Sequence, residues 1–117
     1  MIIRNDLTTQ AIEWALHGLE RRSEVIANNV ANAEVPNFRG QRIEFEGQLA
    51  AALRAGRITR TAEPVETPTG NTPGPLGNNV RLEEEMVGMM ETNLMKSAMV
   101  EAFNYKAGLI RLAVRGQ

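Results

Sequence analysis

The feature that most constrains this chain is the spacing of apolar residues in its last third. From Leu82 onward, positions follow one another at alternating steps of four and three, and no proline interrupts the chain after Pro75. This heptad spacing predicts a single helix over residues 82–115, which would be about 50 Å long at a rise of 1.5 Å per residue. The seam, with polar breaks at Asn93 and Lys96, consists of Leu82, Met86, Met89, Asn93, Lys96, Val100, Phe103, Ala107, Ile110 and Val114.

A second heptad seam lies near the start of the chain. It predicts a helix that begins near Asn5 or Asp6, either of which can cap free N–H groups, and ends near Asn32. Ser23 is its one polar member, and Trp14 with its neighbouring alanines widens the apolar face on one flank. The seam consists of Ile12, Leu16, Leu19, Ser23, Ile26 and Val30.

The C-terminal helix has a further apolar stripe beside its seam. Because one partner helix covers only one side of such a helix, the second stripe predicts additional partners, most simply other subunits. This stripe consists of Val87, Leu94, Ala98, Tyr105, Leu109 and Leu112.

The middle of the chain has a different character. "RIEFEGQ" (42–48) alternates briefly and suggests an extended piece, and "QLAAALRAG" (48–56) suggests a short helix that stops at Gly56. Residues 59–79 hold four of the five prolines, which predicts a flexible loop. The predicted fold class is therefore all-α, with two long terminal helices in an antiparallel coiled coil and an irregular Pro/Gly-rich middle. The expected divisions are 1–35, 36–80 and 81–117.

Composition argues against several functions. The formal net charge of −1 leaves no basic excess for binding nucleic acid, and 4% aromatic residues suit helices meeting along stripes better than a core built around large rings. No cysteine is present, and His17 is the one histidine, so we expect no metal site. Glu83, Glu84 and Glu85 suit the positive end of a helix dipole rather than a catalytic centre. We expect no enzyme activity, no cofactor and no small-molecule substrate.

The stretch "VIANNVANAEVPNFRG" (25–40) is unusually rich in amides for a helix end. Asn32 and Pro36 fit a helix C-terminus, because Asn tolerates a left-handed backbone and Pro forbids continuation. Asn28 and Asn29 lie a full turn earlier, where a buried amide would need specific partners.

This stretch also resembles a known signature. "IANNVANAEVPNFRG" is similar to the motif A-x-N-[IV]-A-N-x-x-T-P-G-[YF] of flagellar rod and hook proteins, with matches at Asn29, Ala31, Asn32, Pro36 and Phe38. "GNNVRLEEEM" (77–86) resembles the second half of that family, with matches at Asn79, Val80, Glu85 and Met86.

The chain departs from the family pattern at three positions. Val35 replaces a threonine, and Asn37 replaces a glycine, although Asn still tolerates positive φ. Arg81 replaces an aspartate that would cap the last helix, and Asn79 is the candidate substitute for that cap.

The resemblance implies a structural subunit of the proximal rod of the bacterial flagellar basal body, similar to the inner domain of flagellin. Such a subunit assembles by helix packing into a hollow axial drive shaft and is exported without a cleaved signal peptide into a rod that spans the periplasm. Its implied partners are copies of itself, related axial proteins, and the membrane-ring and export-gate end of the basal body.

Two sets of residues carry these expectations. Asn28, Asn29, Asn32, Pro36 and Phe38 would fix the signature turn or an assembly contact. The candidate assembly seam is Ile12, Leu16, Leu19, Ile26, Val30, Met86, Met89, Val100, Phe103, Ile110 and Val114. The alternative reading is a helical binding module or an export chaperone for a secreted helical protein, which would share the amphipathic stripes without needing the Asn–Pro motif.

Overall fold

The computed structural model describes residues 6–116 and contains three helices and two short strands within them. In chain order these are α1 Leu7–Ala31, β1 Gln41–Glu44, α2 Glu46–Ala55, β2 Val65–Pro68 and α3 Leu82–Arg115. The proposed capping residue Asn5 lies outside the described residues, as do the rest of 1–5 and Gln117. None of the described helices combines the length and the apolar character needed to cross a membrane.

The ends of α1 match the prediction. The Asp6 side chain accepts a hydrogen bond from the Thr8 N–H at 2.9 Å, which satisfies a donor that the first turn leaves free. Asn32 caps the other end, where its N–H reaches the carbonyls of Asn28 and Asn29. The sequence therefore identified both ends of this helix from local chemistry.

Helices α1 and α3 pack side by side in opposite directions. Lys106 forms an ion pair with Asp6 at one end, and Lys96 Nζ lies 3.0 Å from Glu20 Oε2 further along. The contact nearer the start of α1 therefore involves the later residue of α3, so the two helices run antiparallel. The mainly helical fold with two long terminal helices is confirmed, whereas supercoiling of the pair stays a prediction.

The line of α3 that faces α1 differs from the predicted seam. Glu85, Thr92 and Ala107 are buried, and Met89, Lys96, Phe103 and Ile110 are partly buried. The remaining seam positions are exposed, namely Leu82, Met86, Asn93, Val100 and Val114.

Close approach of the two helices explains this difference. A Cβ added to Gly88 would lie 3.4 Å from Ile26 Cδ1, so near this point the contact line is occupied by Gly88 and the polar Glu85 and Thr92 rather than by large apolar side chains. The periodicity instead traces the most apolar line of α3, which is displaced to one side.

The middle of the chain is more ordered than the sequence suggested. Strand β2 forms inside the Pro/Gly-rich segment and pairs antiparallel with β1, with Gln41 opposite Pro68 and Glu44 opposite Val65. The expectation of a flexible loop is therefore wrong for residues 65–68, whereas the chain as a whole is mainly helical, as predicted. Main-chain pairing orders the strand although its side chains are largely exposed. The extended piece and the short helix were predicted correctly, and α2 ends at Gly56 with φ of 75°.

The core forms where the middle segment packs against α1. The rings of Trp14 and Phe45 meet edge to face with centroids 6.0 Å apart, and Trp14 Nε1 donates to the Ala62 carbonyl at 3.0 Å. The expectation of a core without large rings is wrong, because these two are both placed centrally. The buried cluster consists of Trp14, Ala15, Leu19, Val25, Ile43 and Phe45.

Candidate functional site

Asn29 is the most buried residue of the signature, with an exposed fraction of 0%. Its Oδ1 accepts from the Gln41 N–H at 3.1 Å, and its Nδ2 donates to the Gln41 carbonyl at 2.7 Å. The side-chain amide therefore pairs with both backbone groups of the first residue of β1. The same Nδ2 donates to Glu85 Oε2 at 3.1 Å, so one amide joins α1, β1 and α3.

Glu85 is a buried carboxylate at the start of α3, with 9% of its surface exposed. Burial raises the pKa of this carboxyl above its ordinary value, and the nearby Glu84 adds to the rise, while the hydrogen bond from Asn29 lowers the pKa. The helix-dipole interpretation of residues 83–85 is thus insufficient for Glu85, whose side chain faces Asn29 across the helix pair.

Asn28 and Asn32 form a local pair at the end of α1. Asn32 Nδ2 donates to the Asn28 carbonyl at 2.8 Å and to Asn28 Oδ1 at 3.3 Å. Asn28 itself is exposed, in contrast to Asn29. The two adjacent amides therefore differ: Asn29 is built into the interior, and Asn28 faces outward.

The second motif supplies two more amides to the same place. Asn78 Nδ2 donates to the carbonyls of Asn32 and Val35 at 2.8 and 2.7 Å, and thereby closes the end of α1. Asn79 Oδ1 accepts from the Gly40 N–H at 2.7 Å, and its Nδ2 donates to the Asn71 carbonyl at 3.0 Å. We call the set Asn29, Asn32, Asn78, Asn79 and Glu85 the amide cluster.

The proposed capping role of Asn79 is wrong. Its side chain is engaged with Gly40 and Asn71, and the cap position Arg81 makes no side-chain capping bond. Asn78 Oδ1 instead accepts from the Val80 N–H at 2.8 Å, just before the helix. The amide that the cap hypothesis assigned to α3 therefore holds the loop that leads to β1.

At the signature turn, Asn37 occupies the position where the family pattern has glycine. This residue adopts φ of 64°, so it takes the positive φ that the family's glycine would supply, as predicted. Its N–H donates to the Leu76 carbonyl at 3.0 Å, and its side chain lies so close to Gly77 that a Cβ there would clash with it. Pro36 is exposed beside it, and Phe38 is partly buried with its carbonyl bound by the Asn79 N–H.

The sequence analysis missed Arg22, which connects α1 to the end of β1 and the start of α2. Its guanidinium donates twice to the Ile43 carbonyl, at 3.2 and 2.7 Å, and pairs with Glu46 at 2.9 Å. It also lies 4.7 Å above the Phe45 ring. The hydrogen bonds from Arg22 are the largest influence on Glu46 and lower the pKa of that carboxyl. Arg22 lies outside the predicted heptad seam of α1, so the apolar periodicity gave no signal for it.

The polar breaks of the two seams behave differently. Lys96 Nζ contacts Glu20 Oε2 at 3.0 Å and Ser23 Oγ at 3.4 Å, so the polar members of both seams meet across the helix pair. Asn93 is exposed and lies outside this contact. Lys96 therefore helps to set the register in which α1 packs on α3. The sequence alone did not decide between this role and a solvent-exposed position.

The candidate seam on α1 splits at its end. Ile12, Leu19 and Ile26 are buried, Leu16 is partly buried, and Val30 is 43% exposed.

On α3 a broad apolar surface remains accessible after the helices pair. Its members, which we call the outer stripe, are Val87, Leu94, Ala98, Tyr105, Leu109 and Leu112, and all six are exposed.

The described part of the chain offers no grouping of three or more His, Cys, Asp or Glu side chains arranged to hold a metal ion. The amide cluster is made of neutral amides and one protonatable carboxyl, which connect backbone segments to each other. Its chemistry fits a structural junction, and the outer stripe fits contact with other proteins.

A family model described as "Flagella basal body rod protein" matches residues 14–39, which contain most of α1 and the signature turn. Full-length relatives give the same indication. The flagellar basal body rod protein FlgB of Bacillus subtilis (strain 168) is 26% identical over 121 residues, which cover 93% of this chain and 94% of that protein.

Two further relatives carry the same name. FlgB of Aeromonas hydrophila is 24% identical over 124 residues, covering 90% of both chains. FlgB of Yersinia enterocolitica is 36% identical over 47 residues, covering 40% of this chain and 34% of that protein. The resemblance to rod proteins that the two motifs indicated is thereby confirmed, and it extends over nearly the whole chain.

Proposed function

The chain is similar to flagellar basal body rod proteins over most of its length, and we propose that it is a structural subunit of the rod. Its relatives are named as flagellar basal body rod proteins. The observation that supports the proposal best is the outer stripe of α3, which stays exposed after α3 has packed against α1.

The subunit assembles by helix packing in this proposal. Leu94 and Leu112 are 73% and 64% exposed, and side chains of that size bury substantial apolar area when a neighbouring helix covers them. Repeated around an axis, such contacts would build a hollow axial tube. The coiled-coil character of the α1–α3 pair is part of the same proposal.

The amide cluster sets the geometry of the assembling helices. It fixes the end of α1 to the start of α3 through Asn29 and Glu85, so both helices are presented at one angle. Asn28, Asn32, Pro36 and Phe38 complete the turn that leaves α1. We assign the assembly role to segments 1–35 and 81–117, and the supporting role to 36–80.

The neighbours in the rod are copies of this chain and related axial proteins, and the rod base would meet the membrane-ring and export-gate end of the basal body. The exposed seam residues Val30, Met86, Val100 and Val114 are candidates for these contacts, together with the outer stripe. In line with the family resemblance, the chain would leave the cytoplasm without a cleaved signal peptide.

Complementation of a deletion strain tests the proposal. Leu94→Asp places a charge on the outer stripe and should abolish swimming and the recovery of the protein with purified basal bodies. Leu76→Asp is the matched control, because Leu76 is 63% exposed but lies in the loop before α3. Wild-type motility of the Leu94→Asp strain would contradict assembly through this stripe.

An export chaperone would share an exposed apolar helix face. Cell fractionation separates the two functions: a chaperone stays in the cytoplasmic fraction, whereas a rod subunit is recovered with the basal body. The match to rod proteins over most of the chain favours the subunit.

A further inference from the structure

Helix α3 is polarised in charge along its length. Residues 82–101 carry five glutamates, at 83, 84, 85, 91 and 101, against the single cation Lys96. Residues 102–117 carry Lys106, Arg111 and Arg115 and no Asp or Glu. The helix dipole acts within the first and last turns, so it accounts for neither Glu91 nor Lys106.

An acidic groove runs along the first half of this helix. It lies between α1, the β1–β2 sheet and α3, and has a volume of about 780 Å³. Its apolar lining includes Val25, Ile26 and Ile43 from the interior, with Leu94 and Met95 on the α3 side. Five carboxylates and two guanidinium groups line it, so the groove carries a net negative charge.

The ion pairs within the groove leave one exposed carboxylate without a cation. Arg22 pairs with Glu46, and Arg42 with Glu44, so both guanidinium groups are already engaged. Glu91 is exposed and makes no ion pair with any residue between 6 and 116.

The opposite end of α3 carries the complementary surface. Tyr105, Leu109 and Leu112 are 71%, 48% and 64% exposed, and Arg111 and Arg115 flank them. Neither arginine pairs with a carboxylate of the described residues. We call these five residues the basic tip.

The tip and the groove of one molecule are held apart. Leu94 and Leu112 lie on one continuous helix, about 27 Å apart at 1.5 Å per residue, so a molecule cannot fill its own groove. We propose that the basic tip of one copy seats in the acidic groove of the next copy. This inference rests on the proposed function and specifies one of its contacts.

The two surfaces share no residue, so the contact is head-to-tail. A head-to-tail contact leaves a free groove at one end of a chain of molecules and a free tip at the other, and therefore propagates. The apolar side chains of the tip would cover Leu94 and Met95, and Arg111 or Arg115 would approach Glu91.

Cysteine cross-linking tests this contact on a clean background, because the full chain contains no cysteine. Met95→Cys and Leu112→Cys proteins, mixed and oxidised, should form a disulfide-linked heterodimer, since a disulfide requires Cα atoms within about 7 Å. A chain carrying both substitutions should form a ladder of multimers on a non-reducing gel. Circular dichroism of each variant verifies the helical fold.

The control pair is Leu76→Cys with Leu112→Cys, in which the exposed loop position replaces the groove position. Cross-linking of the groove pair no faster than this control would overturn the proposal, as would a double variant that stops at a dimer. High salt should slow the specific cross-link, because the facing charges are exposed.

Charge reversal in cells separates this proposal from the proposed function. Glu91→Lys and Arg111→Glu should each reduce recovery with basal bodies at least tenfold, and the doubly reversed chain should restore it. If both single variants enter the rod normally, the groove contact is wrong and the rod function stands. If the wild-type chain itself fails to enter the rod, the rod function is wrong.

Discussion

Asn29 Nδ2 and Glu85 Oε2 lie 3.1 Å apart in the interior, although 56 positions separate the two residues in the chain. This hydrogen bond connects the motif at the end of α1 to the motif at the start of α3. The two sequence motifs are therefore one structural unit, and a substitution in either motif should disturb the structure of the other.

Replacing Asn29 by Ala should destabilise the isolated protein by about 1–3 kcal/mol, because the backbone groups of Gln41 and the Glu85 carboxyl lose their partner. Urea denaturation measures this loss. Asn28→Ala is the matched control one residue earlier, and since Asn28 is exposed, its effect should stay within about 0.5 kcal/mol. Equal losses for the two variants would contradict the assignment of Asn29 as the buried junction.

Replacing Glu85 by Gln should change how stability depends on pH. Because the pKa of Glu85 is raised in the folded protein, its contribution to stability is fully present below the ordinary pKa of 4.5 and is lost as pH rises through the folded pKa. Glutamine stays neutral and avoids this loss. The free energy of unfolding of Glu85→Gln minus that of the wild type should therefore increase from pH 4.5 to 7.

Urea titrations at several pH values in that range give the difference directly. The pKa of Glu46 is lowered in the folded protein, so its contribution to stability is present above its ordinary pKa and is lost as the pH falls. Because both proteins contain Glu46, this contribution cancels in the difference. Glu83→Gln is the control, because Glu83 is exposed in the same turn. A difference for Glu85→Gln that does not vary with pH would show that its carboxyl is not desolvated.

Replacing Arg22 by Lys should lower the free energy of unfolding by about 1–2 kcal/mol, since a single ammonium cannot reproduce the two bonds to the Ile43 carbonyl and the stacking on Phe45. The ion pair with Glu46 adds little, because the Glu46 side chain is 55% exposed. Arg21→Lys is the neighbouring control.

Arg21 pairs with Glu24 and Glu66 on the surface, so its replacement should cost less than about 0.5 kcal/mol. Chemical denaturation of both variants under the same conditions compares them. An Arg21 effect as large as that of Arg22 would mean that the buried contacts of Arg22 contribute nothing beyond charge.

The sequence was most informative where local chemistry decides the structure. The Asp6 cap, the end of α1 and the Gly56 stop each depend on a few adjacent residues, and all were predicted correctly. Strand β2 was missed because it is ordered by backbone pairing to β1, which lies more than twenty residues earlier in the chain. No apolar pattern in residues 65–68 indicates that pairing.

The candidate site shows the same limit. The apolar periodicity predicted that Asn29 and Glu85 lie on helices, but it does not indicate how far apart the two residues are in the fold. The contact line on α3 was displaced because Gly88 and Thr92 permit close approach, whereas the prediction followed large apolar side chains. The exposed outer stripe was predicted from its apolar excess alone.

Replacing Gly18 by Ala should destabilise the protein although alanine favours a helix. The new Cβ would lie 2.7 Å from the Phe45 ring, which is wedged between Trp14 and Arg22 and cannot move freely. Overpacking of this kind costs about 1–3 kcal/mol, more than the gain of up to about 1 kcal/mol in helix propensity. Gly108→Ala is the matched control, because its Cβ meets nothing within 4 Å. That variant should gain about 0.5–1 kcal/mol in urea denaturation, and a gain at Gly18 as well would mean that Phe45 does not pack closely against α1.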